Sequence, residues 1–284
     1  MLINDQSTGK DLQGRSCKKI VRSFYKKSKI PVVYVEHTQK VPLLETRREL
    51  VEQAHGQYIL MVDSDDFLAP DAVNKLYNSA LSTGADITCA RERIYKLNGG
   101  QVEITEEPYA CFTEGNLSGR EILDSWLQDK SSAFLWAKLI KRELYLEAFS
   151  EIPYMDCSLS VDTPMYFFIA YHAKSYVGIN EVVYYYLENE GITSNKIISD
   201  LNTWQRHCSV ASTYTLLLTF EGDLTEEEKE GVRKLSRIFM RNSIFRLRNQ
   251  VVPELYTEAR QMLCEYWGKD YVETVEKIID EVQE

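Results

Sequence analysis

The sequence of 284 residues lacks several features that define particular protein classes. No apolar run approaches the ~20 residues that a membrane-spanning helix needs, and no signal peptide opens the chain. The six cysteines show no C-x-x-C spacing, which argues against a disulfide framework or structural zinc site and favours buried, reduced thiols. The four histidines form no recognisable ligand pair. These absences together favour a cytoplasmic globular protein.

Basic residues are also in short supply. The chain has 33 lysines and arginines against 43 aspartates and glutamates, which gives a net charge of −10 at pH 7. This balance argues against nucleic-acid binding, because such binding relies on basic surface that displaces counterions. A polyanionic ligand would need local arginines or a metal ion. The length allows one large domain, or one domain with a smaller one beside it.

Short apolar strands alternate with helices in the first half of the chain. This alternation predicts an α/β fold with a mainly parallel sheet flanked by helices. One strand, "QYILMVD", is continuously apolar, as is typical of a central strand buried on both faces. The other predicted strands are "MLIN", "IPVVYVEH" and "ADITCAR", and the predicted helices are "LLETRRELVEQAHG" and "PDAVNKLYNSALSTG".

The second half becomes progressively helical. Helices are predicted at 118–129, at 141–149 and in "VDTPMYFFIAYHAK", followed by a bent strand or strand pair in "YVGINEVVYYYLE". Beyond residue 196 the pattern is wholly helical, so we divide the chain into 1–196 and a C-terminal helical region, 197–284. Arg233, Arg237 and Arg241 form a basic stripe there, which is either a solvated face or a contact for an anionic lipid-linked acceptor at a membrane surface.

Three carboxylates follow the most apolar strand, in "YILMVDSDDFLAP". Asp63 and Asp65 project to the same side of an extended chain, and ligands of open α/β sheets bind beyond the carboxyl ends of strands. Hard oxygen ligands of this kind suit Mg²⁺ or Mn²⁺, which complete their coordination with substrate phosphates. The cluster, with Asp66, therefore predicts a metal site.

Three other interpretations of these aspartates compete. An EF-hand loop is excluded, because Leu68 and Asn74 occupy the positions that need glycine and glutamate. A haloacid-dehalogenase-type phosphatase fits poorly, because Asp65 is followed by Asp-Phe. The third interpretation is that the aspartates cap the helix that starts near Pro70. One aspartate suffices for a cap, however, and three adjacent carboxylates repel one another unless a cation is present.

Several segments in order resemble the inverting family 2 glycosyltransferases, which have the GT-A (Rossmann-like) fold. "AHGQYILMVDSDDFLAPDAV" is similar to that family's "A-x-G-x-Y-I-x-x-x-D-S-D-D-x-x-x-P" segment, and "INDQSTGKD" to its "D-D-G-S-T-D" turn. "ETRREL", "FLWAKLIKRELY", "LSVDTPMYFF" and "VVYYYLENEGIT" resemble its "A-R-N-x-G", "W-x-K-L", "E-D-x-x-F" and "L-Y-x-Y-R" segments. The resemblance covers roughly residues 2–195, and the combination is more specific than any one motif.

The resemblance implies a donor and metal site. Asp5, Ser7 and Asp63 would contact a nucleotide-sugar donor, most simply a UDP-sugar, and Arg47 would lie near its base or diphosphate. Asp65, with Asp66, would hold Mn²⁺ or Mg²⁺, although Asp66 is the aspartate that best suits a structural role.

The resemblance also implies an acceptor side. Asp162 would be the general base, or alternatively the N-cap of the helix that follows it. Trp136 and Lys138 would line the acceptor side, or serve as core tryptophan and surface lysine. The acceptor implied is a glycan or lipid-linked glycan of surface polysaccharide synthesis at the inner face of the membrane. The C-terminal helices would position it, form a homodimer or complete the core.

Four departures from the family pattern stand beside these matches. The sequence starts at Met1 without the family's first β-α unit, so either the true start lies upstream or a central sheet position is unfilled and the donor binds poorly. Val161 replaces the glutamate before the base, Leu187 replaces the arginine after the tyrosines, and Asn4 and Gln6 alter the first turn. A chain with an incomplete donor site is the rival hypothesis: a weakly active or inactive binding or assembly subunit.

Overall fold

A computed structural model describes residues 1–155, 157–188 and 197–283 of the chain. Its strands are β1 Leu2–Asp5, β2 Val33–Glu36, β3 Tyr58–Leu60, β4 Phe67–Leu68, β5 Ile87–Asn98, β6 Gln101–Ile104, β7 Gly115–Ser118, β8 Lys138–Lys141 and β9 Ser175–Leu187. Its helices are α1 Cys17–Tyr25, α2 Leu43–Gln53, α3 Ala72–Thr83, α4 Glu121–Leu127, α5 Arg142–Glu151, α6 Asp162–His172, α7 Leu201–Cys208, α8 Val210–Leu218, α9 Glu226–Asn249, α10 Tyr256–Trp267 and α11 Lys269–Gln283, with a short 3-10 helix at Pro253–Leu255. The α/β class with C-terminal helices is confirmed.

The strands form two sheets, and their directions are mixed rather than mainly parallel. β1 and β2 pair in parallel, while the larger sheet has the order β3-β8-β5-β9-β4, with β6 on β5 and β7 on β9. Within it β5 and β9 are parallel and the other pairs antiparallel. The prediction assumed that each strand crosses over through a helix to a parallel neighbour, whereas β6, β7 and β8 return antiparallel.

The strand before the acidic cluster is an edge strand, so the prediction of a central, doubly buried strand was wrong. β3 is three residues long, partly buried, and pairs antiparallel with β8 alone in the described part of the chain. Beyond the ladder Met61 is buried, and Val62, which ends the apolar run, is exposed. No described strand joins β3 to the β1–β2 pair.

Local sequence explains the helix ends that position the site. Gly84 ends α3 in the left-handed conformation, with φ of 69°, which a glycine adopts without a steric penalty. α9 begins with a capping box in which Thr225 and Glu228 bond each other's backbone N–H groups, as its opening sequence predicts. Asp162 lies in the first turn of α6, behind Val161 as N-cap, and no side-chain cap bond forms there. The N-cap interpretation of Asp162 is therefore not supported.

The C-terminal helices complete the main core and build a second one. Leu217, Leu224 and Val232 pack into the core cluster of the α/β part, which also contains all of α6 from Met165 to Ala170. The second cluster lies wholly between Ile198 and Val275 and is centred on the fully buried Trp204. The predicted boundary at 196–197 adjoins residues 189–196, which lie outside the described residues.

Three further predictions, on the arginine stripe, membrane-spanning helices and the cysteines, can be compared with the structure. Arg233 and Arg237 both pair with Glu230, so the stripe is partly neutralised by its own helix. No described helix is long and apolar enough to cross a membrane. The predicted buried thiols are found at three positions, with Cys17 and Cys264 half-buried and Cys111 exposed. The three buried ones are Cys89, Cys157 and Cys208.

Candidate active site

The three clustered aspartates occupy three different environments. They lie in a turn between β3 and β4, in which the Asp66 N–H bonds the Asp63 carbonyl at 3.2 Å. The Asp66 carboxylate accepts from the Tyr184 hydroxyl at 2.7 Å and the Leu187 N–H at 2.8 Å. Burial, reinforced by the charges of the other two aspartates, nevertheless raises the pKa of Asp66 to about 6. Asp65 is exposed, and no described residue donates to its carboxylate.

A buried arginine joins the acidic turn to the predicted general base. Arg47, on the second turn of α2, is 6% exposed and pairs with Asp162 and, at 3.2 Å, with Asp63. Burial opposes the charge of the guanidinium, yet the two carboxylates outweigh it, so the pKa of Arg47 lies above its ordinary value. Burial also raises the pKa of Asp63, and the charge of Arg47 reduces that rise. In this structure Arg47 therefore turns to two carboxylates, and its predicted contact with a donor stays a prediction.

The predicted donor residues of the first turn are also brought together. Ser7 donates to the Asp5 carboxylate through its N–H at 2.9 Å and its hydroxyl at 2.6 Å, and Tyr34 donates to the other oxygen. Although burial acts against ionisation, these bonds prevail and lower the pKa of Asp5 to about 2.

Two departures from the family pattern anchor this turn to α2. The Asn4 amide donates to Glu49 at 2.5 Å, and the Gln6 amide donates to the Thr46 hydroxyl at 2.6 Å. Gln6 also accepts the Val41 N–H at 2.9 Å. Because Thr46 precedes Arg47, the Asp5 turn lies along the same helix as the arginine that joins Asp63 and Asp162. The altered turn is therefore integrated into the site rather than displaced from it.

The two predicted acceptor-side residues are buried. Trp136 is 4% exposed and stacks on Phe134 at 4.8 Å and on Tyr184 at 5.2 Å between ring centroids. Lys138 is 2% exposed, donates to the Phe134 carbonyl, and lies 5.1 Å from the Tyr166 ring centroid. Burial lowers the pKa of Lys138. Lys138 is thus not a surface lysine, and a direct acceptor contact of either residue stays a prediction.

Backbone strain occurs next to these positions. Among the described non-glycine residues, Ala137 and Ser160 have positive φ angles of 56° and 54°, with Asp129 as the third case. Ala137 lies between Trp136 and Lys138, and Ser160 lies two residues before Asp162. Such conformations cost free energy and are retained where the surrounding structure enforces them, often at functional sites.

Three tyrosines that sequence analysis assigned no role support the site. Tyr184 holds the acidic turn through its bond to Asp66 and by accepting the Asp63 N–H at 3.1 Å, and Tyr95 donates to the Asp65 carbonyl. The Tyr145 hydroxyl is buried without a described hydrogen-bond partner, within electrostatic range of Arg47 and Asp162. The tyrosine-rich segment "VVYYYL" was the one signal for Tyr184; Tyr95 and Tyr145 carried none.

The carboxylates of the acidic turn fit a divalent cation that is also coordinated by a bound ligand. The described ranges hold no group of three His, Cys, Asp or Glu side chains arranged to bind a metal. Mg²⁺, however, is commonly bound through one or two carboxylates together with substrate phosphates and water. An exposed Asp65 carboxylate without a donor, beside Asp66, matches that arrangement, whereas Asp63 is already paired with Arg47.

The chain has an α/β fold of the GT-A type, with acidic side chains beyond the end of a strand, where open α/β sheets bind ligands. The chain belongs to glycosyl transferase family 2, whose sequence model matches residues 3–149, just over half of the chain. It is therefore a glycosyltransferase.

Curated relatives and a solved structure agree with this family. An uncharacterized glycosyltransferase of Haemophilus influenzae is 27% identical over 208 residues, which cover 72% of this chain and 73% of the relative. A cholesterol galactosyltransferase of Borreliella burgdorferi is 26% identical over 129 residues, 42% of this chain and 35% of that protein. The crystal structure of S. aureus TarS 1-349 in complex with UDP superposes with a TM-score of 0.54, covering 99% of this chain and 81% of that one, at 16% identity.

Proposed function

We propose that the protein is a metal-dependent, inverting glycosyltransferase that moves a sugar from a nucleotide-sugar donor to a hydroxyl of a glycan or lipid-linked acceptor. The observation that carries this proposal is the chain of contacts from Asp63 through Arg47 to Asp162, because it joins the predicted donor side to the predicted base. The TarS structure, which is a complex with UDP, supports a UDP-sugar as donor.

The proposed division of labour follows from the environment of each carboxylate. Asp5, held by Ser7 and Tyr34, would accept hydrogen bonds from the nucleoside of the donor. Asp63 would bind the ribose region, and Asp65 with Asp66 would hold Mn²⁺ or Mg²⁺. When bound, the ion would supply Lewis-acid stabilisation of the leaving diphosphate. The site would thus place neutralising charge where the leaving group departs.

Asp162 would act as the general base. It would take the proton from an acceptor hydroxyl while that oxygen bonds the anomeric carbon, and the bond from that carbon to the diphosphate would break on the opposite face. Arg47 would act as a positioning residue, because its planar fork pairs with the Asp162 carboxylate and fixes the direction of that carboxylate. Surface polysaccharide made at the cytoplasmic face of the membrane is the acceptor class that we infer.

The test is a panel of nucleotide sugars incubated with the full chain and Mn²⁺, Mg²⁺ or EDTA. We expect nucleoside diphosphate release that requires the metal and is lost in Asp65→Ala. Asp71→Ala is the matched control, because Asp71 is an exposed aspartate whose described ionic partner is Lys75 on the same helix. Donor binding that ignores both metal and Asp65→Ala would contradict the metal assignment.

The rival function is a binding or assembly subunit without turnover. The observation that favours it is the separation of β1–β2 from the main sheet, since β1 carries the predicted nucleoside contact at its end. Donor binding without diphosphate release at any donor of the panel would support this alternative over catalysis.

A further inference from the structure

A cleft of about 500 Å³ lies beside the start of α2. Its walls come from the loop before α2, the segment before α6, helix α7 and the end of α10. Pro42 and Ser158 are the wall residues nearest in sequence to the site. They are followed by Arg47 in α2 and by Asp162 in α6. None of the predicted donor or metal residues lines the cleft.

The cleft is close to the predicted base. Pro42 and Arg47 are five residues apart on one helix, a rise of about 7.5 Å at 1.5 Å per residue. The Leu44 N–H bonds the Cys157 carbonyl at 3.4 Å, which ties the two wall segments together beside the cleft. Ser158, in the cleft wall, is four residues before Asp162, so their Cα atoms are no more than about 14 Å apart.

The charge of the cleft is opposite to that of the whole molecule. Lys40 and Arg206 line it, and none of its described wall residues is acidic, in a chain with a net charge of −10. Neither cation has an ion-pair partner among the described residues, whereas most other arginines of the C-terminal helices are paired. Asp200, near Arg206, turns its carboxylate to Thr203 instead. Two unpaired cations in an acidic protein favour an anionic ligand.

The remaining walls suit sugars. Tyr154 is 73% exposed, and the Tyr266 hydroxyl accepts from the Gln205 amide at 3.1 Å. Tyrosine offers an apolar ring face and a polar tip, and amides such as Asn202 both donate and accept hydrogen bonds. Aromatic faces beside amide groups match the alternating C–H and O–H surfaces of a pyranose ring.

We propose that this cleft is the acceptor subsite and that it binds an anionic glycan. Lys40 and Arg206 bind a carboxylate or phosphate of the glycan, and Tyr154 and Tyr266 contact its sugar rings. The proposal rests on the proposed function, since it assigns the acceptor to a cleft that none of the predicted donor or metal residues lines. It also gives the C-terminal helices a role, because α7 supplies Arg206 and α10 supplies Tyr266.

The experiment measures binding to the full chain by titration calorimetry or ligand-observed NMR. The probes are trigalacturonate for carboxylates, glucose 6-phosphate for phosphates, maltotriose as the neutral sugar and inorganic phosphate as the bare anion. The test variant is the double substitution Lys40→Gln and Arg206→Gln. The matched control is Lys27→Gln with Arg22→Gln, which removes two exposed cations outside the cleft. Thermal melts confirm that both variants fold.

We expect one or both anionic sugars to bind the wild type and the control, and to bind the test variant at least tenfold more weakly. Comparison of the two identifies the anionic group, and UDP binding should not change. No binding of either anionic sugar to wild type, equal binding to the test variant, or inorganic phosphate binding as tightly as the sugars would each overturn the proposal. Loss of UDP binding in the test variant would assign the cleft to the donor. If wild type binds the anionic sugars but no nucleotide, the proposed function fails while the glycan site stands.

Discussion

The interior of the α/β part and the interior of the C-terminal helices differ in charge. Asp5, Arg47, Glu92 and Lys138 are buried in the first, whereas Glu228 is the one buried acidic or basic residue described in the second apart from the half-buried His207, and it closes a capping box. The second core, around Trp204, consists of apolar side chains. Because buried charge costs free energy unless it is paired, its concentration in the α/β part marks the half in which chemistry is expected.

The largest change in activity is expected from a substitution at Asp162, in the half that carries the buried charge. Asp162→Asn removes the proton acceptor but keeps the size of the side chain, so we expect kcat to fall by about 10²–10⁴-fold, the usual contribution of a general base. Steady-state kinetics of diphosphate release measures it, with Asp71→Asn as the surface control. Unchanged kcat in Asp162→Asn would remove the base from the mechanism.

Arg47→Ala tests the cost of interior charge directly. The substitution leaves the Asp63 and Asp162 carboxylates without their shared cation, and breaking a buried pair in this way costs about 3–5 kcal/mol. Urea denaturation gives the free energy of unfolding. Arg47→Lys is the control, since it keeps the charge but loses the planar fork, and it should fall between wild type and Arg47→Ala. Equal stability of all three would mean that the pair contributes nothing net.

Trp204→Phe is the corresponding change in the apolar half. Trp204 is fully buried, and its indole N–H donates to the Ala259 carbonyl at 2.8 Å. The substitution leaves a small cavity and an unpaired carbonyl, for which we expect a loss of about 2 kcal/mol. Urea denaturation measures it, and the donor KM should not change. A shift in donor KM would show that the two halves are coupled more tightly than their separate cores suggest.

His207 makes the apolar half sensitive to acid. Burial, with the charges of Arg246 and Arg206, lowers the pKa of His207 to about 4. The unfolded chain then binds the proton more readily between about pH 6.5 and 4, so stability is highest above pH 6.5 and falls as the pH drops through this window. For this partly exposed group we expect a loss of about 1 kcal/mol between pH 7 and 5, measured by urea denaturation.

The control for this effect is a pair of variants. His207→Gln should reduce the difference in stability between pH 7 and pH 5, whereas His55→Gln, at an exposed histidine, should leave it as in the wild type. If His207→Gln keeps the full difference, the acid sensitivity arises from other groups.

Sequence patterns predicted most helices and the order of the site segments, because amphipathic periodicity and motif spacing are local properties. They failed on strand partners: the run before Asp63 looks central, yet β3 is an edge strand, since the choice of neighbour depends on residues such as those of β8 that are distant in sequence. The sequence patterns also placed Arg47 in the site, but they did not predict its ion pairs with Asp63 and Asp162. The direction of its guanidinium depends on how α2 packs against α6, which no local pattern records.

The smallest change in stability is expected at two tyrosines whose hydroxyls are buried without described hydrogen-bond partners. Tyr145 lies beside Arg47 and Asp162, and Tyr214 lies among the C-terminal helices. An unpaired buried hydroxyl contributes no hydrogen bond, so Tyr→Phe at either position should change stability by no more than about 1 kcal/mol. The two variants should differ in activity instead. If the Tyr145 hydroxyl is retained to bond Asp162 once the carboxylate turns from Arg47 to an acceptor, Tyr145→Phe lowers kcat and shifts its pH profile, and Tyr214→Phe does neither. Equal activity in both variants would make Tyr145 a packing residue and leave Arg47 as the group that positions the base.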